Sequence, residues 1–342
     1  MNPFSYVRTS EPGAAIAAAA ALAGNRFVAG GTNILDLMKE DVVRPPRLVD
    51  INRLPLAEIR EEAGGLWLGA LARNAHTAWN PLVMERFPLL SHAILAGASP
   101  QIRNMASNGG NLLQRTRCVY FYDVGVPCNK RSPGSGCPAA TGLARQHAIL
   151  GATQDCVATH PSDMCVALAA LDARVQVQGG TGVRTIAFEA FHRLPGDRPE
   201  LDTVLADDEL ITGITLPANR LQAHSAYLKI RDRASYAFAL VSVAAALDLD
   251  GSGRIADARI ALGGVAHKPW RDPSAEALLI GEKPDEAVFT RAAEHLLREA
   301  RPWGAPLTSS GFKITLARRA VVRALATAVQ GTPAILGQEA RA

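Results

Sequence analysis

The chain has 342 residues, of which 48% are hydrophobic and 20% are charged, and its formal net charge at pH 7 is +4. This composition is typical of a globular protein, and the length indicates two or three domains. The Lys and Arg residues are scattered and no apolar run reaches the ~18–20 residues of a membrane span, so neither a nucleic-acid footprint nor a transmembrane segment is indicated.

The first predicted element is an alanine-rich helix in EPGAAIAAAAALAG, with Ser10 as its N-cap and Pro12 in its first turn. The stretch is as apolar as the core of a secretion signal. It is preceded by a single cation, Arg8, and by the acidic Glu11, whereas a signal peptide has a positively charged n-region. We therefore interpret it as a helix of the folded protein.

The next segment, RFVAGGTNILDLMKE, predicts a strand, a turn at Gly30 and Gly31, and a helix. RLVDINRL and LWLGALAR predict two further short strands. HAILAGASPQIRNMASNGGNLLQ predicts a helix and then a second glycine loop at Gly109 and Gly110. The chain that follows, up to Pro138, is dense in Pro, Gly and Ser and has no hydrophobic period, so it is expected to be a loop.

The remaining elements indicate an α+β protein. HPSDMCVALAALDA predicts a helix, RVQVQGG and LITGITLP predict strands, and NRLQAHSA predicts a linker, with a domain boundary near 218–226. Beyond Tyr227 we expect two antiparallel strands joined at Gly251–Gly253, followed by helices near 285–298 and 313–329. Strands and helices do not alternate strictly, which favours α+β over a doubly wound sheet.

The two glycine loops, AGGTN and SNGGN, each lead into an apolar helix. Glycine lets backbone N–H groups approach a phosphate closely, and Thr32 and Asn33 add side-chain donors to the first loop. Neither loop matches the dinucleotide-binding or Walker A pattern. On pattern alone, two interpretations stay open: each loop is a tight turn, or the pair clamps a pyrophosphate.

Cys118, Cys128 and Cys137 lie in the loop-like stretch and Cys156 follows, with the spacing C-x9-C-x8-C-x18-C. An odd total of five cysteines argues against a fully paired disulfide scaffold. The spacing differs from the C-x2-C of zinc ribbons and from the bacterial ferredoxin pattern. Free thiols or one disulfide, a zinc site, and an iron–sulfur cluster therefore remain as alternatives.

Basic side chains lie close to these thiols in sequence: Arg115, Arg117, Lys130 and Arg131. We expect them to lower the thiol pKa values and to offset the charge of a four-thiolate site. Cys165 differs, because it has helical spacing with apolar neighbours and is expected to be a buried thiol. Four candidate ligands remain, the number that an all-cysteine site needs.

Taken together, several motifs resemble the FAD-binding subunits of the molybdenum hydroxylases, the xanthine dehydrogenase family. They are FVAGGTNILDLMK, MASNGGNLLQRTRC, PCNKRSPGSGC, CVATHPSDMCVALAALDA and KIRDRASYAFALVSVAAALDLDGSGR. The resemblance runs from Phe4 to about Ala328 and is strongest to the branch of periplasmic aldehyde oxidoreductases. A similar cysteine insertion occurs in the flavoprotein subunit of 4-hydroxybenzoyl-CoA reductase.

The resemblance implies a two-subdomain, PCMH-type FAD-binding domain over 1–220, with subdomains of about 1–55 and 56–220. It implies a [4Fe–4S] insertion of about 114–157. It also implies a C-terminal sheet-plus-helix domain over 221–342, like that of the carbon monoxide dehydrogenase flavoprotein.

By motif, the resemblance assigns FAD contacts to four groups of residues. The pyrophosphate and ribityl contacts are Phe27, Val28, Ala29, Gly30, Gly31, Thr32, Asn33 and Ile34. The second pyrophosphate contacts are Ser107, Gly110 and Asn111, the acidic contact is Asp163, and Ile211 and Lys229 line the flavin. The [4Fe–4S] ligands are Cys118, Cys128, Cys137 and Cys156. No catalytic acid or base is assigned, and Asp36 and His160 are interpreted as structural or cofactor-positioning residues.

The implied function is electron transfer within a heterotrimer. A large subunit with a molybdenum cofactor oxidises aldehyde to carboxylate, a small subunit carries two [2Fe–2S] clusters, and this chain receives electrons at FAD and passes them to an external acceptor. The alternatives are a standalone flavin oxidoreductase, the equivalent subunit of a related hydroxylase or reductase, and a zinc-stabilised binding module. A periplasmic location is implied, by export with a signal-bearing partner, with the cytoplasm as the alternative.

Overall fold

The N-terminal part of the chain forms a small parallel sheet with two connecting helices. The computed structural model describes residues 1–335, so the end of the predicted C-terminal domain, 336–342, lies outside the described range. The elements are β1 Ser5–Arg8, α1 Pro12–Ala20, β2 Arg26–Val28, α2 Ile34–Lys39 and β3 Arg47–Asp50. The strand order is β1–β3–β2, and the helices supply the crossovers that parallel strands require.

Helix α1 begins as predicted at a proline, but its cap differs. Glu11, rather than Ser10, occupies the N-cap position in an extended conformation, and it makes no side-chain capping bond. Pro12 in the first turn has no N–H to satisfy and a φ already suited to a helix, so a side-chain cap is needed less there.

The second sheet is antiparallel and packs against a group of short helices. Its strands are β4 Ile59–Glu62, β5 Gly65–Gly69, β6 Arg174–Gly179, β7 Gly182–Ala187 and β8 Leu210–Leu216. Their order is β4–β5–β8–β6–β7. The helices are α3 Asn74–Ala78, α4 Pro81–Arg86, α5 Pro88–Ala96, α6 Pro100–Met105, α7 Asn108–Leu112, α8 Val119–Tyr122, α9 Asp163–Ala170 and α10 Phe188–Phe191.

The prediction of a second glycine loop ahead of a helix was wrong in detail, because Gly109 and Gly110 lie inside the short helix α7. A Cβ on Gly109 would lie 3.2 Å from the Cβ of Ala70, so glycine serves close packing there. The stretch of 114–140 has little regular structure apart from α8 and a 3₁₀ turn at Pro138–Ala140, in agreement with the predicted loop.

The third sheet belongs to the C-terminal part. Its strands are β9 His224–Ile230, β10 Val241–Leu249, β11 Ile255–Gly263 and β12 Trp270–Arg271, in the order β12–β11–β10–β9, all antiparallel. Helices α11 Pro273–Ala277, α12 Glu286–Leu296 and α13 Phe312–Val329 follow. The hairpin that was predicted at Gly251–Gly253 is confirmed, whereas the predicted linker NRLQAHSA already enters β9 at His224.

Strand β10 is buried on both faces. Ala244 and Ala246 belong to the core that holds β5, β6, β8, α5 and α9. Val243 and Ala245 belong to the core under α12 and α13. The α+β class is confirmed. Between residues 1 and 335, no helix is both long and apolar enough to cross a membrane.

Candidate functional site

The first glycine loop, residues 29–34, runs between β2 and α2 and is pressed against the end of α6. A Cβ on Gly30 would lie 1.8 Å from the carbonyl oxygen of Met105, so a side chain there would force the two segments apart. Gly31 has a φ of +73°, and a Cβ there would lie 2.8 Å from the Cδ1 of Leu35. Both glycines are therefore required by the shape of this loop.

This loop presents a set of hydrogen-bond donors without protein acceptors. Within residues 1–335, the backbone N–H groups of 29–34 donate to no protein group. Asn33 Nδ2 is buried without a partner, although Asn33 Oδ1 accepts from the backbone N–H of Arg115 at 3.1 Å. Buried donors in native proteins nearly always have an acceptor. The loop therefore fits a ligand with several anionic oxygens, such as a diphosphate.

The second glycine segment is held in place by its own polar residues. Ser107 Oγ accepts from the N–H of Gly110 at 3.2 Å and caps α7. Asn111 Nδ2 donates to Asn74 Oδ1 at 2.6 Å, and Asn111 Oδ1 accepts from Ser162 Oγ at 2.5 Å. These bonds tie α7 to α3 and to the N-cap of α9.

Asp163, the first residue of α9, takes part in a buried polar cluster. Its Oδ2 accepts from Lys229 Nζ at 2.7 Å, and its Oδ1 accepts from the Tyr227 hydroxyl at 2.7 Å. Lys229 Nζ also donates to the Ala96 carbonyl oxygen at 3.1 Å. Burial, and then the charge of Asp163, raise the pKa of Tyr227 well above its usual value, so the phenol stays a neutral donor.

Direct contacts join the segments that were predicted to bind FAD. Met105, which touches Gly30, comes two residues before Ser107. Ile211 is buried in β8, and a Cβ on Gly109 would lie 3.6 Å from its Cβ. The bond between α7 and the N-cap of α9 extends the contact to the acidic cluster. The segments that were predicted to bind FAD are therefore connected by contacts, although they are distant in sequence.

We expect the Asp163→Asn variant to be clearly less stable, because it leaves the Lys229 ammonium buried without its counterion. Both side chains of this pair are less than a tenth exposed. Removing one partner of a buried pair lowers the free energy of unfolding by about 3–5 kcal/mol. Denaturant unfolding of the FAD-free chain measures this loss of unfolding free energy.

The control for this variant is Asp232→Asn, which breaks the half-exposed pair of Asp232 with Arg145. An exposed pair contributes about 0.2–1 kcal/mol. An equal loss of unfolding free energy in the two variants would contradict a larger contribution from the buried pair.

The second part of the site is formed by cysteines. Cys118, Cys128, Cys137 and Cys156 line one small cavity, although the first and last are 38 positions apart in sequence. We call these four residues the four-cysteine site. All five cysteines are free thiols, and Cys165 lies apart, fully buried in α9 as expected.

The separation of the sulfur atoms indicates which kind of metal group fits the four-cysteine site. In the described part of the chain, no three of these sulfur atoms all lie within 4.8 Å of one another. A single tetrahedral zinc ion with Zn–S bonds of about 2.3 Å would need its four sulfur atoms about 3.8 Å apart. The sulfur atoms are therefore spaced more widely than a single zinc ion requires, which favours a polynuclear group with four thiolate ligands over zinc.

The expected lowering of the thiol pKa values was wrong for Cys118, Cys137 and Cys156. Burial raises the pKa of Cys118 to about 12 and that of Cys156 to about 11, and it also raises the pKa of Cys137. Neighbouring thiols of the site add to this effect. Without a metal these three thiols stay protonated at neutral pH, and iron or another cation would displace their protons.

Burial outweighs the basic residues: Lys130 acts to lower the pKa of Cys156, but by less than burial raises it. Lys130 Nζ donates to Asp202 Oδ1 at 2.5 Å, and Arg115 Nε donates to Asp202 Oδ2 at 2.7 Å. Burial alone would raise the pKa of Asp202, but these two cations hold it well below its usual range. Arg131 donates to backbone carbonyl groups of the cysteine loop and fixes its shape.

The four-cysteine site adjoins the first glycine loop. Arg117 Nη1 donates to Asp36 Oδ2 in α2 at 2.6 Å. Leu37, the next residue of α2, packs with Phe121 and Cys128 in one apolar cluster. Helix α2 therefore connects the first glycine loop with the four-cysteine site.

Two features of the site were missed from the sequence. His147 Nε2 lies 3.0 Å from Cys118 Sγ, and its position between Cys137 and Cys156 was the available signal. Asp202 pairs with both Lys130 and Arg115 from a distant segment, and no local pattern points to it.

A further buried group lies beside α9. Atoms of His160, Cys165 and His192 lie within 4.8 Å of one another. His192 Nε2 donates to the Leu112 carbonyl oxygen at 2.8 Å. Burial holds the pKa of His160 well below its usual value and lowers that of His192 to about 4, so both rings are neutral. We interpret the group as polar packing beneath Asp163.

Comparisons with known proteins cover nearly the whole chain. The family model described as the FAD binding domain in molybdopterin dehydrogenase matches residues 2–219, and the model of the CO dehydrogenase flavoprotein C-terminal domain matches residues 225–328. The chain is 48% identical to the aldehyde oxidoreductase FAD-binding subunit PaoB of Escherichia coli, over 96% of this chain and 99% of that protein.

More distant relatives agree in fold. The glyceraldehyde dehydrogenase medium chain of Sulfolobus acidocaldarius is 28% identical, over 94% of this chain and 95% of that one. The solved structure of carbon monoxide dehydrogenase from Hydrogenophaga pseudoflava has a chain with a TM-score of 0.75 and 26% identity, covering 96% of this chain and 98% of that one. The family resemblance carried by the motifs is confirmed. The chain belongs to the family of FAD-binding domains of molybdopterin dehydrogenases, joined to a carbon monoxide dehydrogenase flavoprotein C-terminal domain.

Proposed function

We propose that this chain is the electron-transferring flavoprotein subunit of a molybdenum-dependent aldehyde oxidoreductase and that it carries a [4Fe–4S] cluster besides FAD. The observation that carries the proposal is the convergence of four distant cysteines on one cavity that touches α2, next to the loop with free N–H groups. The 48% identity with PaoB, over nearly the full length of both chains, supports the choice of aldehyde as the substrate of the complex.

In this proposal the chain binds the diphosphate of FAD mainly through backbone groups and the flavin mainly through side chains. Residues 29–34 hold the diphosphate with Ser107, Gly110 and Asn111, while Asp163, Ile211 and Lys229 lie towards the flavin. Bound FAD supplies a two-electron acceptor that can also release single electrons. The protein supplies position and electrostatics.

The chain itself is not proposed to do acid–base chemistry on a substrate. Both carboxylate oxygens of Asp163 accept hydrogen bonds from buried residues of the same chain. Asp36 bonds Arg117 and the Tyr122 hydroxyl. Aldehyde oxidation is therefore assigned to the molybdenum cofactor of a partner subunit.

The four-cysteine site would hold the cluster through Cys118, Cys128, Cys137 and Cys156, the four thiolates that a [4Fe–4S] cluster needs. Such a cluster supplies one-electron exchange. The protein contributes a buried, shaped cavity and the clamp that Arg131 makes on its loop.

The proposed partners are a large molybdenum subunit and a small [2Fe–2S] subunit in a heterotrimer. Apolar side chains around the cysteine loop are exposed and suit such contacts: Leu113, Val119, Val124 and Leu143. The proposed location is the periplasm, reached by export with a signal-bearing partner, and the cytoplasm is the alternative.

Anaerobic purification of the chain with its partners tests the proposal. We expect co-purification of both subunits, a flavin band near ~450 nm and a broad iron–sulfur shoulder that bleaches with dithionite. Flavin without iron in this chain would overturn the cysteine assignment and favour a standalone flavin oxidoreductase. A colourless chain with bound zinc would overturn the proposal in favour of a binding module.

A further inference from the structure

One ligand of the four-cysteine site receives a side-chain contact. His147 Nε2 lies 3.0 Å from Cys118 Sγ, and the ring is 5% exposed. Elsewhere in residues 1–335, no side-chain donor bonds the sulfur of the other three cysteines. The backbone N–H groups of Tyr120 and Phe121 also approach Cys118.

The position of the His147 ring is set by the backbone around it. His147 N–H donates to the Ala144 carbonyl oxygen at 2.8 Å, and the His147 carbonyl oxygen accepts from Lys313 Nζ at 2.7 Å. The next residue, Ala148, donates to the Val157 carbonyl oxygen at 2.8 Å. The segment is thus fastened to α13 and to the chain beyond Cys156, so the contact with sulfur is built into the fold.

The ring can donate from Nε2. A neutral imidazole with its proton on Nε2 has one N–H there, and an imidazolium has one there as well. Nδ1 has no hydrogen-bond partner in the described part of the chain. A thiolate accepts and does not donate, so the proton belongs on Nε2, facing the sulfur.

We propose that His147 is a positioning residue that donates its Nε2–H to the Cys118 sulfur and thereby raises the reduction potential of the [4Fe–4S] cluster. The proposal rests on the cluster assigned under the proposed function. A donor withdraws negative charge from the ligand sulfur and so favours the reduced, more negative cluster. Lys130 and Arg115 both donate to Asp202, whereas His147 contacts the ligand sulfur directly.

The test compares three variants of the complex, each purified anaerobically. His147→Leu removes the donor, and His147→Gln can place an N–H near the same point. His267→Leu is the control. His267 is a similarly buried histidine without a hydrogen-bond partner in the described chain. The readout is a redox titration of the reduced cluster followed by electron paramagnetic resonance, with iron and sulfide content as the check on loading.

In His147→Leu we expect the ratio of reduced to oxidised cluster at a fixed potential to fall about tenfold, which is 59 mV for a one-electron couple. His147→Gln is expected to recover most of the shift, and His267→Leu to leave the wild-type potential unchanged. A wild-type potential in His147→Leu, or an equal shift in His267→Leu, would overturn the role of His147 while leaving the cluster in place. Absence of iron and sulfide from wild type would instead overturn the proposed function.

A second measurement needs no variant. In wild-type complex with ¹⁵N-labelled histidine, pulsed electron paramagnetic resonance of the reduced cluster should detect a weakly coupled imidazole nitrogen. If the loaded cluster shows no such coupling, the hydrogen bond does not exist. This keeps the proposal testable even where His147→Leu fails to incorporate iron.

Discussion

Replacing Cys128 by serine is expected to remove the iron of this chain and to leave most of its FAD. A hydroxyl is a poor iron ligand, and a cluster with three thiolates in place of four is lost in purification. Iron assigned to this chain should fall from about four atoms to less than about one. FAD should remain because the donors of residues 29–34 are mostly backbone groups that the substitution does not touch.

The matched control is Cys165→Ser, which changes the fully buried thiol in α9 outside the four-cysteine site. It should keep its iron, with some loss of stability from a buried hydroxyl. The measurement is iron, acid-labile sulfide and FAD per chain in the purified complex, with the iron of the small subunit subtracted. Full iron in Cys128→Ser would show that Cys128 is not a ligand.

Replacing Gly31 by valine is expected to release FAD and to leave the four-cysteine site loaded. Gly31 has a φ of +73°, which is strained for a β-branched residue, and its new side chain would meet Leu35 Cδ1. Backbone strain of this kind is about 1–3 kcal/mol. A loop that relaxes this strain turns its N–H groups away from the ligand, so affinity should fall by about tenfold or more.

Gly253→Val provides the control for Gly31→Val. Gly253 has a φ of +75° but no atom within 4 Å of its Cβ position, and it lies in the turn between β10 and β11. Both variants strain the backbone in the same way, but only Gly31 lies in the first glycine loop. Flavin fluorescence after ultrafiltration reports the retained FAD. Wild-type retention in Gly31→Val, or equal release from both variants, would count against the loop as the clamp.

The parts of the fold that were predictable have strong local patterns. The strand–turn–helix of β2 and α2 is marked by adjacent glycines, and the β10–β11 hairpin is marked by a glycine turn between apolar strands. Strands such as β1 and β9 were missed because Ser5–Arg8 and His224–Ile230 mix polar and apolar residues without a clear alternation. The helix that contains Gly109 was missed because the packing partner of Gly109, Ala70, is remote in sequence.

The grouping of the four cysteines was predictable, whereas the electrostatics around them was not. The cysteines that were chosen as ligands do line one cavity, and their spacing alone could not have placed them there. The basic residues were interpreted as counter-charges to the thiolates, yet two of them pair with Asp202, which follows β6 and β7 in the chain. Such pairings depend on tertiary contacts, which a linear pattern does not record.

The burial of β10 on both faces has a consequence for how the subunit unfolds. The two family models meet between residues 219 and 225, but β10, which comes later, supplies Ala244 and Ala246 to the first core. If the chain were cut at that junction, the N-terminal part would lose the strand that closes its core. The C-terminal part would expose the apolar face of β10 to solvent. The two modules should therefore melt together in a single cooperative transition, and exchanging either one between relatives should require repacking of this shared strand.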